Sequence, residues 1–276
     1  MTRAERQAVL EQIATEVRSC TSCRLHETRT LAVPGEGDPS TEVVLVGEGP
    51  GFNEDRQGRP FVGRAGDLLV RLLGSIGWRR EDVYITNVVK CRPPENRDPM
   101  PDEIAACEPY LRRQLAVLDP AVVVTLGRHS MGRFMPGARI SQVHGTMRPA
   151  DPETGARDAL VFAMYHPAAA LRTPAIERDS YDDIAAVPTA LLASRERRAS
   201  HESGPALPTA EPDVAITTVA DPATVAEPPA VAEAAPVATP PAVRPAPPTA
   251  PPPAASDSIP PTVVETPAET DQLTLF

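Results

Sequence analysis

Four cysteines are the residues whose type and spacing first suggest chemistry. Cys20 and Cys23 form a C-x2-C pair, and Cys91 and Cys107 follow after 67 and 15 intervening residues. Four thiolates can hold a structural zinc or an iron-sulfur cluster; buried, unligated thiols are the plain alternative. A disulfide framework does not fit a chain whose charged N-terminus lacks an export signal, because the cytosol keeps thiols reduced. A second set of chemically capable residues lies just after short apolar runs. These are Gly47-Glu48-Gly49-Pro50-Gly51, then Asn87, then Gly127-Arg128-His129-Ser130, then Tyr165-His166-Pro167. Together they supply a glycine-rich backbone, a carboxylate, an amide and an imidazole.

The elements that must position them follow from hydrophobic pattern. Residues 42–46, 83–87, 121–126 and 160–164 are apolar, β-branched runs of strand length, suited to burial on both faces. Helical stretches are expected over 3–18, 65–76, 102–118 and 128–134, with a last helix over 182–198 that kinks or restarts at Pro188. Alternating strands and helices imply a parallel sheet covered on both sides. In such a sheet ligands bind beyond the carboxyl ends of the strands, which is where all four polar groups fall. Residues 54–66 read as a shaped loop carrying Phe61 to that edge, and 140–158 leave room for a turn or an edge strand. The Gly47 loop lacks G-x-G-x-x-G and has no following Gly-Lys-Ser/Thr, so it is neither a dinucleotide fingerprint nor a Walker loop.

Composition divides the chain near residue 200. The net charge is -10 over 276 residues, of which residues 201–276 contribute -9, together with 18 of the 34 prolines and no aromatic residue before Phe276. Such a segment lacks the apolar surface to offset the entropy of ordering it, so 201–271 are expected to be a disordered, acidic Pro/Ala-rich tail. The first 200 residues are near neutral, with Lys90 the only lysine, so any nucleic-acid face must be local. No apolar run reaches membrane-span length, and the expected location is cytoplasmic.

The segments GEGPGFNEDRQGRPFVGRAGDLL, YITNVVKCRPPENRDP, GRHSMGRF and YHPAAALR, with all four cysteines in order, resemble the family 4, iron-sulfur uracil-DNA glycosylases over roughly residues 10–195. The resemblance implies a three-layer αβα sandwich with a four-stranded parallel central sheet. It also implies a 4Fe-4S cluster on Cys20, Cys23, Cys91 and Cys107, and a monomer that flips uracil out of DNA and hydrolyses the N-glycosidic bond. On this reading Asn87 donates to uracil O4 and accepts from N3–H. Cytosine presents the opposite pattern, and an unpaired buried polar group costs ~1–3 kcal/mol. Phe61 stacks on the base, while His166 donates to O2 and stabilises charge on the departing base. Glu48 orients water or acts electrostatically, with backbone donors from Gly47, Glu48 and Gly49 near O2; Asp55 is a weaker carboxylate candidate.

In the resemblance Gly49 stands where better-known glycosylases carry a catalytic aspartate, and Gly51 leaves space where they block thymine. A related subgroup links covalently to DNA through a loop histidine. Residues 92–97 contain none, so ordinary turnover is expected. Leu171 is the expected wedge into the flipped-base gap and Arg172 a phosphate contact. The remaining histidines (His26, His129, His144 and His201) read as structural or as DNA-backbone contacts. The cluster is expected to be structural, bracing the loop beside Asn87, because glycosidic cleavage moves no electrons. Gln272, Leu273, Leu275 and Phe276 resemble the peptide that bacterial proteins insert into the DNA sliding clamp. The rival reading is a catalytically weak DNA-binding scaffold of the same fold recruited through its tail; zinc in place of iron is the rival for the cysteines.

Overall fold

The computed structural model describes residues 1–202. Six strands form one sheet: β1 (Glu36–Gly37), β2 (Val43–Gly47), β3 (Tyr84–Asn87), β4 (Val122–Leu126), β5 (Met147–Pro149) and β6 (Leu160–Met164), in the order β1-β3-β2-β4-β6-β5. The inner four are the runs the sequence marks. They are parallel, and every residue in them is buried. The sheet is nevertheless six-stranded and mixed, not four-stranded and parallel, because β1 and β5 pair antiparallel at its edges. The sequence leaves room for β5 within 140–158 but fixes neither its bounds nor β1. β1 is two residues long and ends at Gly37, where any Cβ would lie 2.1 Å from the Val83 carbonyl oxygen. β5 is fully exposed, so it has no hydrophobic signal.

Eight helices complete the described unit: α1 (Arg3–Ser19), α2 (Phe52–Gln57), α3 (Arg64–Ser75), α4 (Pro101–Leu118), α5 (Arg128–Phe134), α6 (Ile140–Val143), α7 (Pro167–Ala170) and α8 (Pro174–Glu202). Side chains alternate across a strand, which sorts the core into two halves. Val44, Val46 and Val123 face α1 and α4, whereas Val43, Leu45 and Val124 face α3 and α8. Three layers result. α1 starts at a capping box in which Thr2 and Glu5 satisfy each other's backbone amides.

Three expectations of local structure need correction. Residues 52–57, partly read as loop, form α2, which Gly58 ends in the left-handed region (φ 68°) by donating its N–H to the Glu54 carbonyl (2.8 Å). Residues 167–170 of the expected wedge loop form the helical turn α7. The last helix begins at Pro174 and runs through Pro188. Ile184, Val187 and Ala190 bury against the sheet on both sides of that proline, so packing outweighs its local penalty. No helix among the described residues is long and apolar enough to cross a membrane. The tail (201–271) and the clamp-like peptide (272–276) lie outside the described residues, apart from the end of α8.

Candidate active site

The carboxyl ends of the parallel strands open into one cleft, lined among others by Glu48, Gly49, Phe61, Asn87, His166 and Arg172. The expected pocket residues therefore meet, and Gly47 lies directly behind them. A Cβ on Gly47 would fall 2.4 Å from Asn87 Oδ1 and 2.7 Å from Phe61 Cζ, so the absence of a side chain lets the amide and ring stand side by side. Gly47→Ala is expected to lower single-turnover excision by ~10²-fold through misplacement of both groups. Circular dichroism should report an intact fold, and wild-type rates in this variant would remove Gly47 from the pocket.

Asn87 ends β3 with 1% of its surface exposed, and its Oδ1 is buried without a hydrogen-bond partner. A buried acceptor left unpaired is costly, and a ligand N–H in the cleft would satisfy it. Phe61 is held at φ 50°, in a region that non-glycine residues occupy only under constraint. The constraint is visible. Arg80 donates to the Phe61 carbonyl (3.0 Å) and to that of Pro60, and Glu36 pairs with Arg80 (2.8 Å). Glu54 accepts from the Val62 and Gly63 amides (2.9 and 3.1 Å). Sequence reasoning misses both Arg80 and Glu54, because they act on backbone atoms and no side-chain motif marks them.

His166 follows β6 and caps α7. The Ala168 N–H donates to its Nδ1 (3.1 Å), which leaves Nε2 to carry the ring proton. Burial, with a smaller push from Arg172, lowers its pKa to about 4, so the imidazole is neutral in ordinary buffers. Its ring centroid is 5.7 Å from that of Phe61. Gly127, at φ 94°, allows this approach, since a Cβ there would lie 2.8 Å from His166 Cβ.

Glu48 sits at the rim with 29% of its side chain exposed, and burial raises its carboxyl above the usual range; Asp98 adds to this, while His129 and Arg128 oppose it. His129 Nε2 is 3.8 Å from Glu48 and 3.2 Å from Asp98, and Arg128 pairs with Asp98. His129, expected to be structural or a DNA-backbone contact, thus adjoins the candidate base. Ligand atoms of Glu48, Asp98 and His129 lie close enough to hold a cation, but the Arg128 guanidinium already supplies positive charge there. Asp55 is corrected: it is 2% exposed, and its carboxylate accepts from the Thr30 amide (2.9 Å), outside the cleft lining. Leu171 also departs from expectation. It is half-buried against the core beside α3 and α8 instead of projecting as a free wedge. His144 pairs with Asp183 (3.1 Å), and its ring lies 4.5 Å from that of Tyr165.

The four cysteines form a second site. Cys20 caps α1, Cys23 lies three residues before His26, Cys91 lies four residues past Asn87, and Cys107 is on α4; all four line one cavity and none is joined in a disulfide. Donors converge on the sulfurs: Arg29 to Cys91 (3.0 Å), the Lys90 amide to Cys107 (3.2 Å) and the Ser22 amide to Cys20 (3.5 Å). Burial pushes the Cys107 thiol up to about 11, and Lys90 pulls it the other way. Four sulfurs on one cavity, three of them accepting from N–H donors, match the ligation and tuning pattern of iron-sulfur clusters held by four thiolates, so the residues present fit such a group.

Comparison with known proteins agrees with this geometry. A family model described as the uracil DNA glycosylase superfamily matches residues 34–186, and the chain belongs to that superfamily. The chain is 49% identical over 182 residues to a type-4 uracil-DNA glycosylase of Sulfurisphaera tokodaii, covering 63% of this chain and 81% of that one. Proteins of the same name from Saccharolobus solfataricus (48% identical; 66% and 86% covered) and Thermotoga maritima (47%; 60% and 85%) are also similar. Within the superfamily, its place is among the type-4 uracil-DNA glycosylases.

Proposed function

We infer that this chain excises uracil from DNA, acting as a monofunctional glycosylase in base excision repair. The observation that carries the reading is the buried, unpaired Oδ1 of Asn87, set beside the Phe61 ring and a neutral imidazole. A flipped uracil stacks on Phe61, pairs its N3–H and O4 with the Asn87 amide, and places O2 toward His166 Nε2–H. As the C1′–N1 bond breaks, the electron pair leaves with the base and the His166 donor stabilises the resulting anion. Glu48 accepts a proton from the water that adds to C1′. The chain's only lysine, Lys90, does not line the cleft, so no lysine amine is placed to attack the abasic sugar. Arg172 serves as a phosphate contact at the rim, and Leu171 would have to leave its packed position to act as a wedge. Gly51, on the cleft lining, leaves space for bases larger than uracil.

Release of uracil from an oligonucleotide with one uracil, read by alkali cleavage of the abasic site, tests the reading. No cleavage by the metal-replete chain overturns it in favour of a DNA-binding scaffold. Because burial raises Glu48, kcat/KM should fall on the acid side at a pH above the ordinary carboxylate range, as the base is protonated. Asp98→Asn removes one contribution to that rise and should move the acid limb to lower pH. An unmoved limb would detach Asp98 from Glu48.

The cysteine site supports a 4Fe-4S cluster, which would supply a structural tie between residues near 20, 91 and 107 and take no part in bond cleavage. Iron content and visible absorbance of anaerobically purified protein distinguish it from zinc. Residues 1–200 are assigned as the catalytic domain and 201–271 as a tether. Gln272, Leu273, Leu275 and Phe276 are assigned as a peptide for the DNA sliding clamp. Fluorescence anisotropy of the labelled full chain with purified clamp, against a Leu275→Ala, Phe276→Ala double variant, tests that assignment.

A further inference from the structure

Lys90 has no part in the chemistry above, yet it is the most unusual residue in the core. It is 1% exposed, and its Nζ donates to Thr86 Oγ1 (2.6 Å), Gln114 Oε1 (2.7 Å) and the Asn87 carbonyl (2.8 Å). All three acceptors are neutral, and among the described residues no carboxylate pairs with it. A buried ammonium in neutral company is unfavourable unless an anion lies nearby. What lies nearby is the cysteine cavity. Lys90 lines it, its own amide donates to Cys107 Sγ (3.2 Å), and the next residue is Cys91. Four thiolates around an iron-sulfur core leave the assembled group net anionic.

The network that fixes the ammonium is itself braced. Thr86 Oγ1 and Gln114 Nε2 both donate to the Pro34 carbonyl (3.0 and 2.7 Å), so Lys90 has little freedom to turn elsewhere. On its far side the Asn87 carbonyl belongs to the same residue whose side chain faces the base.

We propose that Lys90 is the internal counter-ion of the cysteine-bound cluster and the positioning residue that ties cluster occupancy to the base-reading Asn87. The proposal rests on the cluster reading of the four cysteines. It gives the cluster a defined influence on the pocket through one cation and one hydrogen bond, without electron transfer.

The test uses the full chain, purified anaerobically as wild type, Lys90→Met and Lys90→Arg, with iron quantified in each. Lys90→Met should lower the cluster's reduction potential, because removing a nearby cation favours the oxidised, less negative state. It should also lose iron faster to a chelator and cut single-turnover uracil excision roughly tenfold. Lys90→Arg, which keeps the charge, should hold the potential near wild type. A residue that merely fills space would leave the potential unmoved, and an unchanged potential in Lys90→Met at equal iron content overturns the proposal. If Lys90→Met does not fold, Lys90→Gln removes the same charge while keeping a hydrogen-bonding end. Wild-type protein with zinc and no iron would instead overturn the cluster reading, and the proposal with it, a result distinguishable from an unmoved potential.

Discussion

Asn87→Ala is expected to lower kcat/KM for a single uracil in DNA by ~10³-fold. On the proposed reading the amide makes two hydrogen bonds to the base edge, and the one to O4 strengthens as the leaving uracil gains negative charge. Together they account for about 4 kcal/mol of transition-state stabilisation, which corresponds to that factor. The same substitution removes a buried carbonyl oxygen that has no partner in the free protein. Thermal stability should therefore hold, or fall less than truncation of a well-paired buried amide would cost. Loss of activity with a preserved melting midpoint identifies Asn87 as a base-reading group. Loss of both together would make it a structural residue, and retained cleavage would remove it from the pocket.

That residue also shows which features the sequence reveals. Asn87 is legible because β3 is a buried apolar run that ends abruptly at a polar side chain, and strand ends of a parallel sheet are where ligands bind. His166 is legible by the same strand-end rule, Phe61 by the Gly- and Pro-rich loop that carries it to that edge, their roles by resemblance to a known family, and the cysteines by spacing. What sequence does not show are partnerships between distant or backbone groups. Arg80 fixes Phe61 through main-chain oxygens, and His129 reaches Glu48 from a different strand end. Leu171 departs from expectation because the wedge role comes from the resemblance of its segment, whereas α7 turns the side chain against the core. β1 is too short to show a period, and β5, for which the sequence leaves room within 140–158, is exposed along its length and so lacks the alternation that would fix its bounds.

The second large effect concerns His166 and separates ground-state from transition-state binding. His166→Asn retains a good helix-capping residue ahead of α7, so the turn should persist, but its shorter side chain withdraws the Nε2–H donor from the cleft. On the proposed reading the donor meets a neutral carbonyl of bound uracil, a weak bond. As the glycosidic bond breaks, that oxygen becomes part of an anion, and the same donor is worth far more. The expected result is a kcat lowered by ~10²- to 10³-fold with KM little changed. A neutral donor suits this task, because its Nδ1 is already committed to the Ala168 amide and the ring resists a second proton until pH falls to about 4. The wild-type rate should thus show no titration near the ordinary histidine value of ~6.5. A limb at that pH which disappears in His166→Asn would mean that the working form is the imidazolium, and the neutral-donor mechanism would have to be abandoned.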